Sequence, residues 1–117
     1  MFSVLSPRAH GVLDYVTVAI FALAPTVLGL VGLAATLSYV LAAVHLLTTL
    51  LTAFPLGVVR RVSFPLHGTV ELAVGAALVL AGSFLFEGTA RMFYLVMGVV
   101  ILLVYLLTHY RGAPATV

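Results

Sequence analysis

Apolar residues fill four blocks of this chain, residues 9–31, 35–54, 66–86 and 90–110, and polar residues gather in the breaks between them. A helix of about 20 residues rises roughly 30 Å, the thickness of a bilayer's hydrocarbon core. Each block therefore predicts a transmembrane helix. Pro7 and Pro65 stand at the starts of two blocks, where a missing N–H costs a helix nothing, and Ser6 and Ser63 are candidate N-caps. The breaks fall at 29–34, at 55–65 ("PLGVVRRVSFP") and at 87–90 ("EGTA").

Inside the blocks the few polar and small residues fall on stripes. In the second block Ser38, Ala42, His45, Thr49 and Thr52 recur at spacings of 4, 3, 4 and 3, which is one helix face. In the third, His67, Glu71, Gly75, Leu78 and Gly82 share a face, and Ala73, Ala77 and Ala81 form a second small stripe. Small residues let another helix approach closely. In the fourth, Tyr94, Gly98, Tyr105 and His109 lie roughly on one side, with His109 and Tyr110 expected as interfacial anchors. The pattern predicts an all-α fold, an integral membrane four-helix bundle. Pro25 should bend the first helix and free a carbonyl that Thr26 or a neighbour must satisfy.

The polar pattern also repeats. "PRAHGVLDYV" (7–16) returns as "FPLHGTVELA" (64–73), so that His10 and Asp14 match His67 and Glu71 at an offset of 57 residues. The offset holds without a gap from His10 to Pro25. The second helices, "YVLAAVHLLTTLLTAF" and "YLVMGVVILLVYLLTHY", agree with a residue or two of slippage. Two tandem helical hairpins follow: repeat 1 at about 7–54, a link at 55–65, repeat 2 at about 66–110 and a tail at 111–117, all one membrane domain over 1–117.

Composition narrows the class. Hydrophobic residues make up 64% and charged residues 7%, against about 25% charged in soluble domains, too few to cover a water-facing surface. The first block is expected to be a transmembrane helix and not a cleaved signal peptide, because Asp14 interrupts it and Pro25 would follow the small residues at 22–24. With no cysteine there is neither disulfide nor thiolate metal site. Arg8, Arg60, Arg61 and Arg111 fall on one side of the four helices and Arg91 on the other. This places both termini and the link in the cytoplasm, in the cell (inner) membrane, and makes the two hairpins parallel. A net charge of +2 gives no sign of nucleic-acid binding.

This layout, with the central "LLTAFPLGVVRRVSFPLHGTVELAVGAALVLAGSF", resembles the bacterial SPW-repeat membrane proteins over nearly the whole chain. The positions matching the family's Ser-Pro-Trp turn read Ala24-Pro25-Thr26 and Ala81-Gly82-Ser83, and the chain has no tryptophan. The resemblance implies two tandem hairpins and no established activity.

The candidate chemistry lies in the His-x-x-x-acid pairs. Residues i and i+4 share a helix face, so His10 sits over Asp14 and His67 over Glu71. Asp14 and Glu71 are expected to face inward and lie close together, each helped by its own histidine, because a carboxylate facing lipid costs a few kcal/mol. As a functional site, two imidazoles and two carboxylates can hold a divalent metal, relay protons or pair with a substrate. As a structural device, they lock an interface within about 10 Å of the helix start, where an acid suits the helix dipole and arginines stand nearby. His45, expected near mid-membrane, is a proton carrier, an axial haem ligand or an interhelical hydrogen-bonding group. It does not repeat, since its counterpart falls near Ile101. Haem between His10 and His67 is a further option. Glu87 and Arg91 are expected as a surface pair of little energetic value.

No serine–histidine–acid set in recognisable context, phosphate-cradling glycine loop or HExxH is present, so no enzyme is expected. Three function classes remain. The first is a structural or accessory membrane protein, a homo-oligomer or the partner of another membrane protein, with the bilayer as its solvent and no cofactor. The second binds or conducts a proton, metal ion or small solute through His10, Asp14, His67, Glu71 and His45. The third binds haem.

Overall fold

The computed structural model describes residues 4–108 and Tyr110. These form four helices, α1 (Pro7–Leu28), α2 (Gly32–Leu50), α3 (Phe64–Phe84) and α4 (Gly88–Leu107). With 22, 19, 21 and 20 residues, each is long and apolar enough to cross a membrane. The expected segments are corrected at their ends: the helices begin two to three residues earlier and stop two to four residues sooner. Capping explains the early starts of α1 and α3. Ser6 Oγ accepts from Ala9 N at 3.1 Å, and Ser63 Oγ accepts from Leu66 N at 3.2 Å, so helix begins directly after each serine.

The fold is all-helical, as expected, with one small pairing outside the helices. After α2 the chain leaves the helix, and Thr52–Ala53 (β1) pairs in parallel with Val62–Ser63 (β2), Thr52 opposite Val62. A matching single bridge joins Leu5 to Thr108. Val62 N donates to Leu51 O and Leu5 N to Leu107 O, both at 2.8 Å. Each pairing ties the residues entering an odd-numbered helix to the end of an even-numbered one. Leu5 and Val62 are again 57 residues apart.

Within the hairpins, α1 packs on α2 and α3 on α4. The α3–α4 contact is close because it is glycine against glycine: a Cβ on Gly98 would stand 2.9 Å from the Gly75 carbonyl oxygen. All five residues of the stripe expected on α3 are buried. On α2, Ser38, Ala42 and Thr49 are buried and His45 partly so, and Thr52 just beyond the helix is buried as well. Pro25 lacks the N–H that the Phe21 carbonyl would otherwise accept, and Ser38 of α2 donates to that carbonyl at 2.6 Å. The satisfying neighbour is thus Ser38, with the bond made across the hairpin. At the same end Tyr94 donates to the Ala34 carbonyl at 2.6 Å and stacks on Phe86. Phe21, Leu78, Phe93, Tyr94 and Met97 build the apolar core, while large side chains such as Val27, Val31 and Phe84 point outward.

Arg91 corrects the expected Glu87 pair. Its guanidinium donates to the Phe86 carbonyl at 3.0 Å and the Ser83 carbonyl at 2.9 Å, satisfying groups left open after α3. His109 and Arg111 lie outside the described residues.

Candidate functional site

Because α1 and α3 are capped alike, their first two turns carry the same groups to the same end of the molecule. His10, Asp14, His67 and Glu71 meet there, fully or almost fully buried. Gly11 and Gly68 follow the histidines and make room for a cover. A Cβ on Gly11 would stand 3.0 Å from the Phe54 ring, and one on Gly68 would stand 2.7 Å from the Tyr110 ring. Phe54, Phe64 and Tyr110 lie over the cluster, with ring centroids 5.3 Å apart for Phe54–Phe64 and 4.7 Å for Phe64–Tyr110.

The expected inward, adjacent carboxylates are found. The expectation that each is served by its own histidine is corrected, because both histidines reach both acids. His10 Nε2 is 2.8 Å from Glu71 Oε2 and 3.3 Å from Asp14 Oδ1. His67 Nε2 is 3.0 Å from Asp14 Oδ2 and 3.2 Å from Glu71 Oε1. Nitrogen and oxygen thus alternate around a four-membered ring, each carboxylate spanning both imidazoles.

The outer nitrogens settle the tautomers. Thr108 Oγ1 gives its one proton to the Val104 carbonyl at 2.5 Å and lies 2.7 Å from His10 Nδ1. Thr52 Oγ1 gives its proton to the Thr48 carbonyl at 2.6 Å and lies 2.6 Å from His67 Nδ1. Each hydroxyl can then only accept from its histidine, so both Nδ1 atoms carry hydrogen. Both Nε2 atoms face the acids with a lone pair or a second proton. Yet neither Nε2 makes a hydrogen bond, nor does Asp14 Oδ2, despite the short distances, because the angles are wrong for one. Neutral imidazoles with two carboxylates sum to a charge of −2, which burial does not tolerate uncompensated. One divalent cation or two protons would cancel it.

Donor geometry bears on both options. His10, Asp14, His67 and Glu71 can each offer one atom such that all four lie within 4.8 Å of one another. A tetrahedral ion with bonds near 2.0–2.1 Å has polyhedron edges of about 3.3 Å, so with one oxygen from each acid the four donors would draw in from their 4.8 Å spread to hold one. The four contacts also serve as ion pairs if the two protons sit on His10 and His67, so the site has the groups for either compensation.

His45 reaches this cluster from α2 and is not isolated at mid-membrane. Its Nε2 donates to Asp14 Oδ1 at 3.3 Å and lies 3.5 Å from Glu71 Oε1, with 10% of the side chain exposed. It stands outside the four-donor set, holding a carboxylate in place. The His10 and His67 rings meet edge to face at 78°, with centroids 5.5 Å apart, and are not the parallel walls of a flat slot. Tyr110 donates to Glu71 Oε2 at 3.4 Å, and burial holds its phenol above the ordinary value, so it stays a donor.

The threonine anchors and the aromatic cover escape the sequence reading. Their signal is present: "LLTAF" (50–54) and "LLTHY" (106–110) place Thr52 with Phe54 and Thr108 with Tyr110 at the ends of the second helices. The anchoring crosses between hairpins, Thr52 serving His67 and Thr108 serving His10, which spacing along one hairpin does not reveal. Comparison of the chain with protein-family models, curated proteins and solved structures found no match.

Proposed function

We propose that this chain is an integral membrane protein that holds one divalent transition-metal ion between His10, Asp14, His67 and Glu71. The carrying observation is the orientation of the two imidazoles. Each is tied through Nδ1–H to a threonine, and each turns a hydrogen-bond-free Nε2 toward two carboxylates. A metal-ligating histidine is held in this way, by a hydrogen bond from its other nitrogen. The mixed nitrogen and oxygen donor set suits zinc, iron, manganese or cobalt, and the absence of thiolates disfavours copper(I). An ion here would pin the two hairpins together at one end, which fits a structural or accessory role, and no reaction is assigned to it.

The same proposal takes the four helices as a bundle of two parallel hairpin repeats of SPW-repeat type, with both termini cytoplasmic. Matched serine caps, matched parallel bridges and matched threonine anchors support the repeat. The arginine distribution supports the orientation, in which the ion would lie near the cytoplasmic face.

Metal analysis of chelator-treated protein in detergent, retitrated with zinc or cobalt(II), tests the site. A single tightly held ion per chain is expected, lost in the His10→Ala, His67→Ala double variant. Folded wild-type protein that takes up neither ion would sink the metal reading and leave two protons as the compensating charge.

A further inference from the structure

The cluster is walled unequally. Toward the helix ends it is covered by Phe54, Phe64 and Tyr110. Toward the seam between α2 and α3 lies a cavity of about 30 Å³. A single water needs about 10–15 Å³ on this measure, so the space takes one or two small molecules and nothing larger. Its polar wall is His45, Thr48, His67 and Glu71, and its apolar wall is Leu41, Val44, Val70 and Val74. Val44 and Val70 are also exposed on the outer surface, so this wall adjoins the lipid. Of the four proposed donors, only His67 and Glu71 line the cavity. It therefore adjoins the donor set on the side of His67 and Glu71.

We infer that this cavity is the exogenous-ligand position of the metal centre, taking one small monodentate oxygen or nitrogen donor beside Glu71 and His45. The inference rests on the metal reading above. With an ion held by the four residues, water or hydroxide would occupy this space and a small anion would replace it by simple ligand exchange, with no change of oxidation state. A site closed on all sides is structural, while one that keeps a position for an outside ligand can do chemistry. Four side-chain donors leave zinc, cobalt or iron able to expand to five ligands, and the expansion has to occur where space exists. Only a small or neutral molecule passes an apolar wall, which selects against chelating and multiply charged ligands. His45 acts here as a positioning residue. Its Nε2–H lies within 3.5 Å of an oxygen of each carboxylate, close enough to turn to a ligand arriving beside them.

The test is azide titration of the cobalt(II)-loaded protein in detergent, followed by visible absorption. A saturable change in the cobalt bands is expected. Val74→Phe, which fills the cavity from a residue that is not itself a donor, should weaken azide binding by at least about tenfold and leave cobalt(II) affinity within about threefold. Val44→Phe at the outer wall gives the same readout should Val74→Phe not fold. His45→Ile should also weaken azide by about tenfold, through loss of one charge-assisted hydrogen bond. Cobalt binding with no azide response in the wild type would overturn this inference and leave the metal site standing. Failure to bind cobalt at all would overturn the metal reading itself. Unchanged azide affinity in the cavity-filling variants would show that the ligand arrives by another route, and would also overturn the assignment.

Discussion

His45 on α2 and Ile101 on α4 occupy matching places, each seven residues before the threonine that anchors a histidine. The surroundings differ sharply. His45 is partly exposed in the seam to α3 and donates to Asp14, whereas Ile101 is 3% exposed and belongs to the apolar core. The two-fold features of the molecule, namely serine caps, histidine–acid pairs, parallel bridges and threonine anchors, build a closed and balanced donor set. The single departure from that pattern adds a polar group and a small cavity on one side only. In a membrane, where each unsatisfied polar group is expensive, a lone histidine beside the cluster has to be accommodated by a partner, and Asp14 supplies it. The symmetric features surround the His/acid cluster, and the asymmetric one lines the small cavity beside it.

The largest expected effect removes what the two sides share. Asp14→Asn with Glu71→Gln keeps the shapes and much of the hydrogen bonding but deletes both charges, and metal uptake should fall below detection while the helices persist by circular dichroism. Retained uptake at wild-type affinity would show that the imidazoles alone suffice. Next come the two anchors, which measure whether the shared frame is energetically as well as geometrically two-fold. Thr52→Val and Thr108→Val should each weaken metal binding by about 10–100-fold, the usual effect of losing an outer partner of a ligand. Zinc competition titrations should place the two values within about fivefold of each other. A much larger loss for one would mean that the histidines are unequal ligands. The smallest effect is expected on the apolar side. Ile101→His should leave zinc affinity within about threefold, because Asp14 already has its outer partner in His45. A tighter site in that variant would show that the apolar side withholds a ligand.

The four helices were legible because the hydrocarbon core demands an apolar run of fixed length, and the two glycine-bearing faces because close helix contact demands small residues. Ser38 shows where legibility stops. Pro25 announces an orphan carbonyl, but whether Thr26 or a residue on another helix satisfies it depends on how the hairpin packs. The same holds for Arg91. Its spacing from Glu87 suggests an ion pair, but the guanidinium goes to the carbonyls of Ser83 and Phe86, which the helix end leaves unpaired. The starts of α1 and α3 fall earlier than the apolar run because serine capping begins a helix before hydrophobicity does. The small parallel pairings were missed because two residues carry no periodicity.

By itself, the sequence determined that this chain has four membrane-length helices, that His10 and Asp14 recur as His67 and Glu71, and that each pair shares a helix face. These follow from local rules, the rise per residue and the turn of a helix. Only the tertiary structure decided that each imidazole spans both carboxylates, that Thr52 and Thr108 anchor the histidine of the opposite hairpin, and that His45 joins the cluster while Ile101 does not. Those outcomes depend on how the hairpins are set against each other. Side chains from separate helices meet at distances of about 3 Å, where a displacement of a single ångström decides whether two groups are bonded.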